Sequence, residues 1–416
     1  MRVLTLNEAF RRALSANPGV NISRTEVEVA ETRRLLTRSF ILPRVAVNGD
    51  FTRNSKEASF GNGPDAAVLL PANDWSYSLS VRQPLFAGLR DLRAYEQSKL
   101  AISTAREGVL DAENATLLAV GSDYLALSEA EALIAVEQRN IELARRRLRQ
   151  STDFYEVGEV TRVDVLRGEA GIKAAERQRV TAEAARDAAA SRLRRALALD
   201  TEIRAESAGD FLPPLPAVAE LVALAEEASP VLRQVRLRVE IAELEVKKQR
   251  GAYLPTLFLD GVWLHQKAGF PADQYGFVAL NFSAPIFTGG ETRARVREAE
   301  HQLEQARLSA EDLGRAIREE VRRALLDVTT ARTLLALSRE ELNAAEQEYE
   351  ETFALYRAQE ADSLDLATAE TALAESQRRV VSSGVAVQNA ELRVWYLTGR
   401  LKQVALPAVA GEENQS

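Results

Sequence analysis

Two short motifs place a carboxylate three residues after a hydroxyl or another carboxylate: Thr161-x-x-Asp164 and Asp362-x-x-Asp365. That spacing has the form of a capping box, in which each side chain serves the other residue's backbone at the start of a helix. Its chemistry is charge and hydrogen bonding, not bond breaking. The chain holds no cysteine, which excludes disulfides, thiolate ligands, a thiol nucleophile and a lipid on cysteine. Its two histidines, His265 and His301, have no second ligand motif near them and read as an exposed strand residue and an exposed helix residue. No nucleophile–His–acid set, phosphate loop or ligand cluster stands out. The expectation is therefore no enzyme, no metal site and no cofactor.

The elements that would carry these motifs come in two copies. Trp75, Tyr77, Leu79 and Val81 alternate with Ser76, Ser78, Ser80 and Arg82, the period of a strand with one apolar face. Pro84, Phe86 and Gly88 follow, with Pro84 suited to a strand end or a first helical turn. After Gly88 no proline occurs until beyond Leu212. The order recurs: Gly276, Val278, Leu280 and Phe282 lead into Pro285, Phe287 and Gly289 at a constant offset of 201. Asn17-Pro18 and Leu42-Pro43 match Ser229-Pro230 and Leu254-Pro255, with helical stretches between (roughly 19–41 and 231–251). The strand after each Leu-Pro alternates too, Val45, Val47, Gly49 and Phe51 matching Leu257, Leu259, Gly261 and Trp263. This is a tandem repeat with two strands per copy. Its boundaries are 1–205 for the first repeat, 206–216 for a proline-rich linker, 217–402 for the second repeat and 403–416 for a tail. The longer first strand loop, 54–74, reads as exposed, and 411–416 as disordered.

Long helices follow each strand pair. The first runs from about Gly88 to Ser151, roughly 95 Å at 1.5 Å per residue. Leu127, Ile134, Ile141, Leu148 and Tyr155 fall seven apart, as do Val328, Leu335, Leu342, Tyr349 and Tyr356. A seven-residue repeat keeps one stripe against a partner helix. The return helices, about 161–199 and 362–399, are rich in alanine. Between outgoing and return helices lie sharp turns, the first with Gly158 as a helix stop. Helices this long need neighbours from other chains.

With 416 residues, 46% of them apolar, disorder is not expected; the net charge of −8 argues against a nucleic-acid partner. No apolar run approaches the roughly 20 residues of a spanning helix. The opening MRVLTLNEAF lacks a basic segment followed by an apolar one, so no signal peptide is expected in this numbering; either the chain is cytosolic or a signal was removed. Alternation alone favours a half-buried soluble hairpin, the commoner case, although strand length and pattern equally suit a transmembrane strand. The helices shift that balance toward the membrane.

At these residues the chain resembles the TolC-like outer-membrane efflux family. The repeat, Leu-Pro before one strand, Pro-Leu-Phe-x-Gly after its partner and Val-Gly-x-x-Thr-x-x-Asp-Val-Leu at the first turn carry the resemblance over roughly 4–401. It implies a mainly α fold with a β-barrel part: a homotrimer whose chains each give four transmembrane strands to a shared twelve-stranded barrel and their coiled-coil helices to a periplasmic tunnel. It further implies an outer-membrane exit duct, passive, of a tripartite efflux or secretion system, joined through a periplasmic adaptor to an inner-membrane transporter. On this reading Trp75, Tyr77, Leu79, Val81, Leu257, Leu259, Trp263, Val278, Leu280 and Phe282 face outer-membrane lipid. Val157, Gly158, Glu159 and Thr161 are reachable by the adaptor, and Asp365, with Asp362 a turn before it, lines the pore constriction. The second turn departs from the pattern, with Arg357, Ala358, Gln359 and Glu360 in place of Val-Gly-x-x-Thr. Physical reasoning meets this halfway: four strands cannot close a barrel, and open edges cannot face lipid. The alternative is a non-transporting coiled-coil protein of the cell envelope whose strands merely cap the bundle.

Overall fold

The computed structural model describes residues 2–61, 67–206, 209, 211–267 and 272–406. In chain order the elements are β1 (Arg2–Leu4), α1 (Leu6–Ala16), α2 (Pro18–Ser39), β2 (Arg44–Arg53), β3 (Ala58–Phe60), β4 (Ala67–Leu70), β5 (Asn73–Ala87), α3 (Arg90–Glu156), α4 (Arg162–Ala196) and β6 (Ile203–Ala205). Then come α5 (Val218–Ala228), α6 (Pro230–Arg250), β7 (Thr256–Gln266), β8 (Gln274–Ser283), α7 (Glu291–Arg357), α8 (Ser363–Leu397) and α9 (Leu401–Ala405). The tandem repeat is visible in the lengths. Helices α3 and α7 have 67 residues each, and α4 and α8 have 35 each. Two compact units result, each drawing on both repeats: 1–24 with 107–233 and 313–416, and 25–106 with 234–312.

The second of these units holds a four-stranded antiparallel sheet in the order β2-β5-β7-β8. Its register aligns the apolar positions: Val47 opposite Leu79, Leu79 opposite Trp263, Leu259 opposite Leu280, and Leu257 opposite Phe282. Because side chains alternate, one face is apolar across all four strands. The other face is polar at its centre, where Asp260 accepts from Arg82 at 2.7 Å and from Asn281 at 2.7 Å across three adjacent strands. The apolar face is uncovered, with Val47 76%, Phe51 69% and Val278 75% exposed. Among the described residues the outer strands β2 and β8 have no partner on their far sides.

Several details differ from the sequence reading. Strand β5 does not stop at Pro84 but continues to Ala87, with a register shift between Pro84 and Phe86. Proline has no N–H to give the ladder, and the irregularity absorbs that loss. The loop 54–74 is largely exposed, as expected, among its described residues, and β3 and β4 pair within it; 62–66 lie outside the described residues. His265 is half-buried rather than exposed, its ring 5.1 Å from Trp75 and 5.3 Å from Tyr77, while Trp75 and Tyr77 stack at 5.0 Å. The parallel pair β1–β6 has strands of three residues, too short for a period to reveal. Helix α9 takes in three residues of the expected tail, and Lys402 within it pairs at 2.6 Å with the buried Glu113. The expected disorder of 411–416 lies outside the described residues.

In the same unit as the sheet, the turn into α3 packs backbone to backbone on the end of α6. Gly88 sits in the left-handed region at φ 63°, and a Cβ on either Gly88 or Gly251 would land on the other's carbonyl oxygen. Gly251→Ala is expected to cost about 1–3 kcal/mol by overpacking. Gly384→Ala, in a helix interior with nothing within 4 Å of the new methyl, is expected to stabilise by up to about 1 kcal/mol. Melting temperatures in detergent check the opposite signs.

Candidate functional site

The candidate site is the pair of turns that end the helical hairpins, both in the first unit. Helix α3 ends because Gly158 turns left-handed at φ 81°, so that the Gly158 N–H reaches Tyr155 O at 3.0 Å and the Glu159 N–H reaches Phe154 O at 2.9 Å. The second turn, which lacks the glycine, repeats this geometry. Gln359 takes φ 64°, its N–H reaches Tyr356 O at 3.2 Å, and the Glu360 N–H reaches Leu355 O at 2.9 Å. Left-handed backbone costs a residue with a Cβ about 1–2 kcal/mol, so the surroundings hold Gln359 there. Its side-chain amide donates to Glu159 of the first turn.

The return helices start on the two carboxylate motifs. Asp362 accepts from the N–H groups of Leu364 (2.7 Å) and Asp365 (2.9 Å), and Asp365 accepts from the Asp362 N–H at 3.3 Å. In the first turn Asp164 accepts from the Thr161 N–H at 3.0 Å and from its hydroxyl at 2.8 Å. The two aspartates at the same cap position then diverge. Asp164 is tied across the turns, accepting from the Ser363 hydroxyl and lying 3.4 Å from Arg167. These bonds, Ser363 first and then Thr161 and Arg167, hold its carboxyl below the usual carboxylate range. The stability they contribute is present above that usual range and is lost as pH falls through the lowered value. Asp365 is exposed and keeps only its cap bond.

Behind the turns the hairpins are joined by ions that sequence reading missed. Arg147 on α3, with a 7% exposed side chain, donates to Glu370 on α8 at 2.6 Å and to the Arg167 carbonyl on α4 at 3.0 Å. One guanidinium thus bridges three helices. Burial pushes the Glu370 carboxyl up, and Arg147 only partly pulls it back. Nearer the middle, Arg378 donates to Glu137, itself 2% exposed, at 2.9 Å. These four residues help to line an open groove of about 550 Å³ between α3, α4 and α8. The charges of these four neutralise one another in pairs. The spacing of Arg147 from Glu370 in the chain carries no signal; only the packing brings them together. Among the described residues no cluster of His, Asp and Glu could hold a metal ion.

Of the residues expected to meet a partner, Val157, Gly158, Glu159 and Thr161 all lie exposed at the tip, and nothing stands within 4 Å of a Cβ built on Gly158. Asp362 and Asp365 are also exposed and act as caps. Among the described residues no helix is long and apolar enough to cross a membrane, which says nothing of a β-barrel.

Comparison with known proteins gives a consistent result. The profile of the family described as Outer membrane efflux protein matches residues 9–199 and again 221–400. The chain is 25% identical over 413 residues to the outer membrane efflux protein BepC of Brucella suis biovar 1, covering 95% of this chain and 86% of that one. It is 26% identical over 458 residues to the alkaline protease secretion protein AprF of Pseudomonas aeruginosa, covering 98% and 87%. Among solved structures, CusC, described in terms of conformational changes accompanying folding and transmembrane channel formation, superposes with a TM-score of 0.85 at 16% identity, over 95% of this chain and 92% of that one. The fold is thus that of the efflux tunnels, mainly helical with a small sheet, and the family is one of channels rather than enzymes. Matched in both repeats, the chain belongs to the outer membrane efflux protein family and is an outer-membrane protein.

Proposed function

We propose that the chain is the passive outer-membrane exit duct of a tripartite efflux or secretion system, working as a homotrimer with a periplasmic adaptor and an inner-membrane transporter. The observation that carries this is the sheet. Its four strands present one apolar face and leave two unpaired edges. In hydrocarbon every backbone N–H and C=O must be paired, so such a sheet is stable only closed on further copies. Three copies give twelve strands, an even number within the range of bacterial barrels. Trp75, Tyr77, Leu79, Val81, Leu257, Leu259, Trp263, Val278, Leu280 and Phe282 then face lipid, and the Arg82–Asp260–Asn281 row faces the lumen. The chain divides into a first repeat (1–205), a linker (206–216), a second repeat (217–402) and a tail (403–416), and each repeat ends its hairpin in a turn. The first turn, with Val157, Gly158, Glu159 and Thr161, meets the adaptor. The second lines the constriction with Asp365 and, one turn before it, Asp362. What favours Asp365 over Asp164 is that Asp164 is committed to Ser363 and Arg167, whereas the Asp365 carboxylate is exposed and keeps one cap bond.

Protein extracted in detergent is expected to conduct ions in a planar bilayer; a soluble, silent protein would establish the scaffold reading instead. Three carboxylates brought close repel one another and concentrate cations. Asp365→Asn is therefore expected to lower cation selectivity and block by polyvalent cations in single-channel recordings, with little loss of stability, since Asn also caps a helix. Unchanged selectivity would leave Asp365 a cap alone. At the first turn, Val157→Glu places a charge on an exposed apolar tip residue. Adaptor binding is expected to weaken about tenfold or more, as befits loss of an apolar contact of 1.5–3 kcal/mol, with the yield of oligomer unchanged. Loss of both together would mean that Val157 serves the fold.

A further inference from the structure

The four-stranded sheet has a helix end and a loop end. At the helix end β2 follows α2, β5 leads to α3, β7 follows α6 and β8 leads to α7. At the loop end lie the two hairpin connections, 54–72 and 267–273. The register lets the apolar face be read row by row. One row at the loop end joins Phe51, Trp75 and Lys267, because the Lys267 N–H carries the ladder one residue past β7 to the Trp75 carbonyl at 3.0 Å. Arg53, opposite Asn73 and two residues beyond Phe51, falls on the same face. Both cations are exposed, and among the described residues neither is in an ion pair.

Charge on this sheet is sorted by face and by end. Among the described residues of the four strands, the apolar face carries no carboxylate. Asp50, Asp74 and Asp260 all fall on the opposite face, and so does Asp273, which accepts from the Gln266 N–H just outside β8. At the helix end the apolar face shows Val45, Val81, Leu257 and Phe282, with no charge. An independent feature marks the loop end as a lipid–water boundary. The rings of Trp75, Tyr77, His265 and Trp263 gather there, with centroids 5.0–6.3 Å apart. Aromatic belts of this kind sit at the level of lipid headgroups. Strand length agrees. Leu257 and Lys267 are ten residues apart, about 33 Å along a strand and about 25 Å along the membrane normal at a tilt of roughly 40°, the full height of the apolar band of an outer-membrane barrel. Lys267 therefore stands among headgroups when Leu257 stands at the other edge of the hydrocarbon.

We propose that Arg53 and Lys267 form a binding site for the headgroup of an outer-leaflet lipid that carries two phosphates, each cation holding one. The two residues lie two strands apart and one row out of level, so about 12 Å separates their Cα atoms. A single phosphate does not span that distance, whereas two on one headgroup do. The arginine donates to its phosphate as a fork and the lysine acts as a point charge. The carboxylates on the other face leave this attraction unopposed on the lipid side. The proposal rests on the membrane duct described above, which puts the helix end in the periplasm and the loop end in the outer leaflet. It adds which lipid chemistry that end selects.

In the test, the full-length oligomer in detergent is titrated with lipid, and bound lipid is counted by native mass spectrometry. Lipid A with both phosphates is expected to bind more tightly than monophosphorylated lipid A or phosphatidylglycerol, and millimolar inorganic phosphate is not expected to displace it. Arg53→Gln and Lys267→Gln are each expected to weaken that binding about fivefold, and the double variant about 25-fold, the worth of one and of two cations at an anionic lipid surface. Exchanging the two cations, Arg53→Lys with Lys267→Arg, is expected to keep the binding. So is Arg44→Gln, on the opposite face. Binding indifferent to the double variant would overturn the proposal, as would equal weakening by Arg44→Gln. Equal binding of the three lipids, or displacement by inorganic phosphate, would overturn it too. A chain that stays soluble without detergent and retains no lipid of any kind would overturn the membrane duct itself, so the two failures are told apart.

Discussion

Backbone groups at the edge of a sheet must be paired wherever water is absent. In this chain that constraint falls on β2 and β8, which flank a sheet whose one face is apolar from edge to edge. Water on that face would leave an unusually large hydrophobic patch exposed. Lipid on that face removes the penalty for the side chains and raises it for the edges. Both are relieved together only when copies of the sheet join edge to edge. The family to which the chain belongs is one of outer-membrane efflux proteins.

The helices meet a different constraint. A 67-residue helix with one apolar stripe satisfies itself along that stripe and nowhere else. Within the chain, α3 is sandwiched and α7 is not, although the two descend from the same repeat. The difference arises from what the second copy of the repeat adds beside the first. Ion pairs cross between the hairpins, Arg147 with Glu370 and Arg378 with Glu137, and Arg147, Glu370 and Glu137 lie at low exposure. Removing one partner of such a pair leaves a buried charge, which is costly. The turns are fixed more cheaply, by left-handed residues and carboxylate caps.

Much of this was legible from residue order. Alternation gave the four strands and their apolar face, and the heptads Val328 to Tyr356 mark the stripe that α7 buries. The two capping motifs predicted where α4 and α8 begin to within a residue. Other features were hidden for physical reasons. Gln359 in the left-handed region carries no sequence mark, because the usual mark is glycine and the turn keeps its shape through tertiary contacts instead. Asp164 and Asp365 look equivalent in the chain, yet only Asp164 meets a serine from the other hairpin. His265 is shielded by rings brought to it from β5, which no local pattern reveals. Pro84 reads as a terminator, and β5 passes through it because the neighbouring strand β7 tolerates a shift of register.

The central claim is that the apolar face of the sheet lies against lipid. The three tryptophans make it measurable: Trp75 and Trp263 are on that face, and Trp395 is 6% exposed in the core of the helical unit. Single-tryptophan variants, with the other two changed to Phe, can be reconstituted into vesicles containing lipids brominated along the acyl chain. The account predicts strong fluorescence quenching of the variant retaining Trp263 and none of the variant retaining Trp395. Equal quenching of the two, or a Trp263 untouched by bromolipid, would contradict it.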